Sequence, residues 1–396
     1  MASIIRKLRH FINSDYALSN TIKKQLYNII HIGKSRIIKI KELTECKSNI
    51  IKTYIASEQF ISYFPLTFGN NVQKTNVIRT PEINLYKFRE AIVNANSSAI
   101  FSKNKIIVFR MEGERFNEGF IKVHDQKNSK IIFNNNGNLN NGYFLGGNGS
   151  WNWYHFLIEI APKILLLEKE YSDTILVNSI VKKIPSMEKV LTVLTKEMFK
   201  IEYLEPEHTY KVNTLLYINN FNNIQFNRFD NKTSIEGCFF NKNLLQKYSN
   251  KIMDSLQSEK ESNTPSKIFL YRKNTHRIAK NQDEILQLLI HFGFVAISLE
   301  EMDIKEQINH FKNAKFIIGT SGAAWSNLIF CRNNPKSICF MPDNAEEFVA
   351  FSNLAKMFNV DFYQLFYKGE DHHYASNFII DTVQLSHLIN TLNERH

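Results

Sequence analysis

The sequence predicts an α/β protein whose parallel sheet carries helices on both faces. Three observations predict it. Residues 267–342 alternate short apolar strands with helices, the pattern of repeated parallel β–α units. A polar, charged, Pro-containing stretch, SLQSEKESNTPSK (255–267), separates this region from a first half with strands and helices of its own. The 396 residues suffice for two domains.

In chain order, the first half opens on a basic segment. Between Met1 and Lys52, eleven Lys and Arg stand against three acids, so this stretch carries +8 of the formal +11. Its basic residues alternate with Ile, Leu, Phe and Tyr. Amphipathic segments on anionic membranes share that pattern, and so does the solvated face of an ordinary helix. No aromatic-rich RNA signature or zinc-finger spacing accompanies the charge, so nucleic acid is not an expected partner. No run of about 18 apolar residues and no sustained apolar leader occurs, so neither a membrane-spanning helix nor a secretory signal is expected. Cys46, Cys238, Cys331 and Cys339 are scattered without CxxC spacing. They read as reduced cytosolic thiols, with no structural zinc.

Three apolar runs within 103–135 have strand spacing. The Asn-rich patches 134–142 and 219–227 read as loops. NWYHFLIEIAPKILLLEKEY (152–171) reads as a helix that Pro162 kinks or breaks. TILVNS is a strand, PSMEKVLTVLTKEMF a helix with Pro185 near its start, TLLYINN a strand, and 240–257 a helix. Beyond the linker, KIFLYRK is a strand and NQDEILQLLIHFG a helix stopped by Gly293. FVAISLE is a strand, DIKEQINHFKNA a helix capped by Asp303, KFIIG a strand, AAWSNLIFCR a helix and KSICFMP a strand.

Ligands of such sheets bind beyond the carboxyl ends of the strands. Two segments lie at such ends. KFIIGTSGAAWSNLIF (315–330) passes from a buried strand through small and hydroxyl residues straight into a helix, whose first N–H groups suit a phosphate or carboxylate. The same glycines would also serve a plain tight turn. YRKNTHR places Arg272, Lys273, His276 and Arg277 after another strand end, and guanidinium forks bond phosphate oxygens in pairs. A third cluster, GNGSWNWYHFLIEIAPK, sets Asn152, His155 and Glu159 near a helix start, with His155 and Glu159 four apart on one face. A histidine there can take a proton from an attacking hydroxyl, or it can be a packed core residue among Trp151, Trp153 and Phe156. No Asp-x-Asp pair appears. Hard cations on a diphosphate are commonly held by such carboxylates, so arginine and helix-end donors are expected to work without metal.

The ordered series NWYHFLIEIAPK, LYRKNTHRIAKNQDEILQLLIHFGF, SLEEMDIKEQINHFKNAKFIIGTSGAAWSNLIF and VDFYQL resembles glycosyltransferase family 61 over roughly residues 140 to 380. That family includes eukaryotic O-linked N-acetylglucosaminyl- and xylosyltransferases and many bacterial capsule or lipopolysaccharide enzymes. The resemblance implies an inverting enzyme of the GT-B type, with two Rossmann-like domains and a cleft between them, and the missing Asp-x-Asp pair makes it metal-independent by expectation. It implies a nucleotide-sugar donor, usually a UDP-sugar, on the C-terminal domain. By position, His155 falls on the family's helix histidine, with Glu159 its orienting partner or the alternative base. Arg272 and Arg277 fall on the Ser-Arg…Arg motif. Gly319, Gly322, Ala323 and Asn327 fall on the Gly-x-His-Gly-Ala…Asn motif, with Lys273, Thr320 and Ser321 beside them on the donor side. Asn152 and Trp153 fall on the acceptor side. Ser321 stands where many members carry histidine, which moves phosphate binding toward backbone N–H groups and Arg272.

The expected organisation is a basic segment at 1–60, an acceptor-side domain at 61–260, a donor domain at 265–380 and a tail at 381–396. The expected partners are a nucleotide-sugar donor, a glycan or lipid-linked glycan acceptor and an anionic membrane surface. The expected location is the cytoplasm, peripheral to the inner face of the membrane, and no cofactor is expected. Two rivals stand beside this: a transferase using a CMP-sugar or phosphoenolpyruvate, and a non-catalytic polyanion- or membrane-binding protein. The sequence leaves the sugar, the acceptor, the linkage and the oligomeric state open.

Overall fold

The computed structural model describes residues 36–67, 72–108, 119–124, 128–133, 137–196, 198–224, 237–256, 264–273, 277–345, 347–369 and 377–394. Fourteen strands precede residue 219 among these: β1 (Arg36–Glu42), β2 (Ile50–Ile55), β3 (Gln59–Tyr63), β4 (Leu66–Thr67), β5 (Thr75–Arg79), β6 (Ile83–Val93), β7 (Ile100–Ser102), β8 (Lys105–Val108), β9 (Ile121–His124), β10 (Asn128–Ile131), β11 (Gly137–Phe144), β12 (Thr174–Asn178), β13 (Lys200–Leu204) and β14 (Tyr210–Ile218). Eleven form one mixed sheet in the order β13-β12-β11-β14-β6-β7-β8-β1-β10-β9, with β2 also on β6. Its β13-β12-β11-β14 block is parallel. β3 and β5 make a separate hairpin. Among the described residues, the α-helices of this half are α1 (Trp153–His155), α2 (Ile180–Lys183), α3 (Pro185–Thr195) and α4 (Lys242–Leu256).

The second half is a wholly parallel sheet built from β15 (Lys267–Leu270), β16 (Val295–Ile297), β17 (Phe316–Thr320), β18 (Lys336–Pro342) and β19 (Asp361–Tyr367), in the order β16-β15-β17-β18-β19-β4. Between these strands run α5 (Gln282–His291), α6 (Ile304–Asn313), a 3-10 helix at Ala323–Phe330 and α7 (Ala350–Met357). The predicted alternation is therefore present, and its strands are buried because helices cover both faces. Asp303 caps α6 as expected, accepting from the Glu306 N–H while Glu306 returns the bond to the Asp303 N–H. Gly293 closes α5 at φ +81°.

Five details differ from the sequence reading. The basic segment is not a separate extension throughout: its residues 36–60 supply β1, β2 and the start of β3, and Lys52 pairs with Glu168 at 2.6 Å. Residues 1–35, with the rest of that segment's charge, lie outside the described residues, as does most of the linker. The Asn-rich stretch 137–142 is strand, not loop. Asn138 and Asn140 are exposed on one face and Asn141 on the other, while Gly137 admits the Tyr210 ring of β14, where a Cβ would stand 2.4 Å from the ring carbon Cδ1. The expected C-terminal tail is a helix, α8 (Thr382–Glu394). It buries Leu385, Leu388, Ile389 and Leu392, an i, i+3, i+4, i+7 stripe, against the second sheet. The helix after β17 is 3-10 throughout. The first half is a mixed sheet with one four-strand parallel block and a separate parallel pair, β1 with β8, not a plain Rossmann unit, and one apolar cluster takes side chains from both halves, among them Phe156, Ile158, Ile317 and Trp325.

Candidate active site

Residues 145–152 leave the carboxyl end of β11 and lead into α1. Buried polar side chains hold them. Ser150 Oγ donates to the Ala95 carbonyl at 3.0 Å, and Asn178 Nδ2 donates to Ser150 Oγ at 2.7 Å and to Asn96 Oδ1 at 2.8 Å. Asn152, expected on the acceptor side, is the helix cap: its side chain accepts the Tyr154 N–H at 2.9 Å.

Beyond α1 the helix widens into a π-turn at Phe156–Ile160 and then tightens to 3-10 at Ala161–Leu166, with Pro162 at the change. The predicted break therefore occurs, as a change of helix type. A π-turn inside a helix often marks a functional position. Here the loop 219–224 supports it, because Asn222 Nδ2 donates to the Ile158 carbonyl at 2.7 Å.

The two predicted catalytic residues meet in this turn. His155 Nδ1 is paired with Glu159 Oε2, and both residues are buried. Glu159 Oε1 accepts the Ile224 N–H at 2.8 Å. Both carboxylate oxygens are thus engaged, which makes Glu159 an orienting group. With Nδ1–H directed at the carboxylate, Nε2 is the ring nitrogen suited to take a proton. Gly149 faces the imidazole. A Cβ there would stand 2.7 Å from His155 Cγ, and its φ of +80° independently favours glycine.

Across from α1, the strand ends of the second sheet bring Arg272, Arg277 and Ser321 together. Arg272 Nη2 donates to the Ser321 carbonyl at 2.7 Å, and Arg277 Nη1 reaches Ser321 Oγ at 3.4 Å. Burial, and then the neighbouring Arg277, push the Arg272 guanidinium down to about 10. An anion between the two would relieve that repulsion. Tyr367, at the end of β19, joins them: burial pushes its hydroxyl up to about 12, against the pull of both arginines and a bond to Ser321. Gly322 is where the backbone passes under the guanidinium, since a Cβ there would lie 1.9 Å from Arg272 Nη2. Replacing Gly322 with alanine should lower the melting temperature, because the buried guanidinium that holds the Ser321 carbonyl must move. Any affinity of the arginine pair for pyrophosphate should fall toward that of an arginine-less variant, and titration calorimetry checks this.

The other predicted donor-side residues have different places. Lys273 pairs with Glu301 at 2.8 Å on the exposed rim. Gly319 serves packing, since a Cβ would meet Leu270 Cβ at 2.7 Å on the paired strand. The Thr320 carbonyl accepts Trp325 Nε1 at 3.0 Å, and Ala323 packs against the shared apolar cluster. Asn327 is fully buried and bonded to Trp153, which had been expected on the opposite side of the reaction. His276 lies outside the described residues. The sequence reading missed Gly149, Asn178, Asn222, Gln307 and Tyr367. Only Gly149, within the conspicuous GGNGS run, carried a local signal.

The His–Glu pair and the arginine pair therefore flank one contact between α1 and the 323–330 helix, at the carboxyl ends of both parallel blocks. Ligands of parallel α/β sheets bind at such strand ends. The family model for Glycosyltransferase 61 matches residues 153–339, and the chain carries a domain of that family. The match contains His155, Glu159, Arg272, Arg277, Ser321, Gly322 and Asn327. No curated protein matches the chain. A domain of that family implies glycosyltransferase activity, with a sugar donor and an acceptor.

Proposed function

We propose that the protein is an inverting, metal-independent glycosyltransferase of the GT-B type. It moves a sugar from a nucleotide diphosphate donor, a UDP-sugar, to a hydroxyl of a bacterial surface glycan. The observation that carries this reading is the pair of guanidiniums converging on Ser321 at the strand ends, beside a helix that presents His155 backed by Glu159. The acceptor hydroxyl gives its proton to His155 Nε2, and its oxygen bonds the anomeric carbon. The bond from that carbon to the diphosphate breaks on the opposite face, and the electron pair leaves with the phosphate. Arg272, Arg277 and the first N–H groups of the 323–330 helix offset the charge that develops there.

The test is a panel of nucleotide sugars, with CMP-sugars and phosphoenolpyruvate included. A donor that binds only the folded state raises the melting temperature. Nucleotide release with an acceptor, and the anomeric configuration of the product by NMR, then establish transfer and inversion. A panel in which only phosphoenolpyruvate or a CMP-sugar binds overturns the donor assignment. Turnover is expected to survive EDTA; activity lost in chelator and restored by magnesium or manganese would reveal a metal requirement.

Peripheral attachment to an anionic membrane belongs to the same proposal. Residues 1–35 contain six Lys and Arg and one acid, so they carry +5. Because β1 and β2 belong to the main sheet, the informative deletion stops at residue 35. Removing 1–35 should weaken co-sedimentation with vesicles rich in phosphatidylserine, and added salt should weaken binding by the full chain. Equal binding by both forms would exclude this segment as the anchor.

A further inference from the structure

We infer that Asn327 and Gln307 are positioning residues for the reaction, acting through Trp153 as a hydrogen-bonded bridge that sets the His155 helix against the anion site. The inference rests on the proposed function for its kinetic consequences and on geometry alone for the bridge.

The bridge runs without interruption through the interior. Trp153 Nε1 donates to Asn327 Oδ1 at 3.1 Å, and Asn327 Nδ2 donates to Gln307 Oε1 at 3.0 Å. Gln307 Nε2 donates to the Leu299 and Met302 carbonyls, each at 3.1 Å, and approaches Ser186 Oγ of α3 at 3.4 Å. Asn327 is fully buried and Gln307 nearly so. Both amide groups of the bridge, on Asn327 and Gln307, have partners for oxygen and nitrogen, which buried amides require.

The two ends of the bridge give it a function beyond packing. Trp153 lies two residues before His155 on the same short helix. The Leu299–Met302 turn carries Glu301, the ion-pair partner of Lys273, and Glu300, whose charge acts on Arg272. One chain of amides therefore links the element that holds the base to the turn that faces the arginines. A side-chain amide is specific in a way that apolar contacts are not: Oδ1 can only accept and Nδ2 can only donate, so the bridge admits one register. Apolar packing around Phe156 and Trp325 holds the halves together, and the bridge fixes their alignment.

The experiment uses the full chain with Trp153→Phe, Asn327→Leu and the double variant. If the bridge positions the base, each single variant lowers kcat about tenfold or more, since small misplacements of reacting groups are expensive. Donor Kd and binding stoichiometry stay within about twofold of wild type, because the arginine pair is untouched. The double variant is no worse than the worse single variant, the mark of one shared interaction. Full wild-type kcat in a folded single variant, donor affinity lost in step with kcat, or additive losses in the double variant would each overturn the inference. Should Asn327→Leu fail to fold, Trp153→Phe carries the kinetic test. Amide exchange supplies a readout independent of turnover: a disrupted bridge must raise exchange across residues 153–166. If the wild-type protein turns over no donor, the functional reading has failed and the bridge is judged by exchange alone; unchanged exchange at 153–166 then overturns it.

Discussion

His155→Ala should cut turnover by about 100-fold or more, the scale of general-base catalysis, while donor affinity stays close to wild type. That loss corresponds to about 2.7 kcal/mol of transition-state stabilisation. The separation follows from location. His155 sits on α1 and contacts Glu159 and Gly149, whereas Arg272 and Arg277 meet at Ser321, just past a strand of the second sheet. Removing the imidazole also frees the Glu159 carboxylate, whose other oxygen remains on the Ile224 N–H. Glu159 cannot readily replace the base, because that backbone bond holds it inside the π-turn. Glu159→Gln keeps an acceptor for Nδ1–H but removes the charge that stabilises imidazolium, so its loss should be smaller than that of His155→Ala. Steady-state rates with donor titrations on folded variants check both. Near-normal turnover in His155→Ala would make the histidine a packed core residue.

Arg272→Ala should weaken donor binding and turnover together. Phosphate charge is present in the ground state and grows as the diphosphate leaves, so a cation beside it acts on both. The guanidinium also holds the Ser321 carbonyl, and with it the turn into the 323–330 helix. Arg272→Lys should recover little, because a point charge cannot span the carbonyl and a phosphate oxygen as the planar fork can. Donor titration and kcat/KM measured on both variants check this. A variant that binds donor normally and loses only kcat would place Arg272 outside the ground-state phosphate contact.

What the sequence made legible follows from the range of the interactions. Strands 267–270, 316–320 and 336–342 are readable because burial on both faces leaves continuous apolar runs. The α6 start is readable because Asp303 and Glu306 cap it within one turn. The stripe 385, 388, 389 and 392 was equally local, and calling that region a tail overlooked it. The β11 strand was hidden by its composition, since Asn at every outward position resembles a loop. His155 and Glu159 could be paired from spacing alone. Their support could not, because Ile224 and Asn222 arrive from a loop more than sixty residues away. Asn327 and Trp153 show the limit most clearly. Each was expected on a different side of the reaction, Asn327 through the family motif it falls on, and their bond spans 174 positions of sequence.

The short strand β4 reverses the usual relation between linker and domain. Leu66 and Thr67 pair with Tyr363 and Gln364, so a piece of the first half forms the outermost rung of the second sheet. Asn353 Oδ1 secures the crossing by accepting the Tyr63 N–H at 2.6 Å, and Ser352 Oγ donates to the Tyr63 carbonyl at 2.6 Å. A ribosome delivers this cover nearly three hundred residues before the strand it protects. During synthesis the early segment waits for its mate, and a fragment begun at the linker would emerge with the β19 edge bare, an open template for pairing with another chain. The dependence runs one way: the second half cannot be exchanged or expressed alone without the first half's strand.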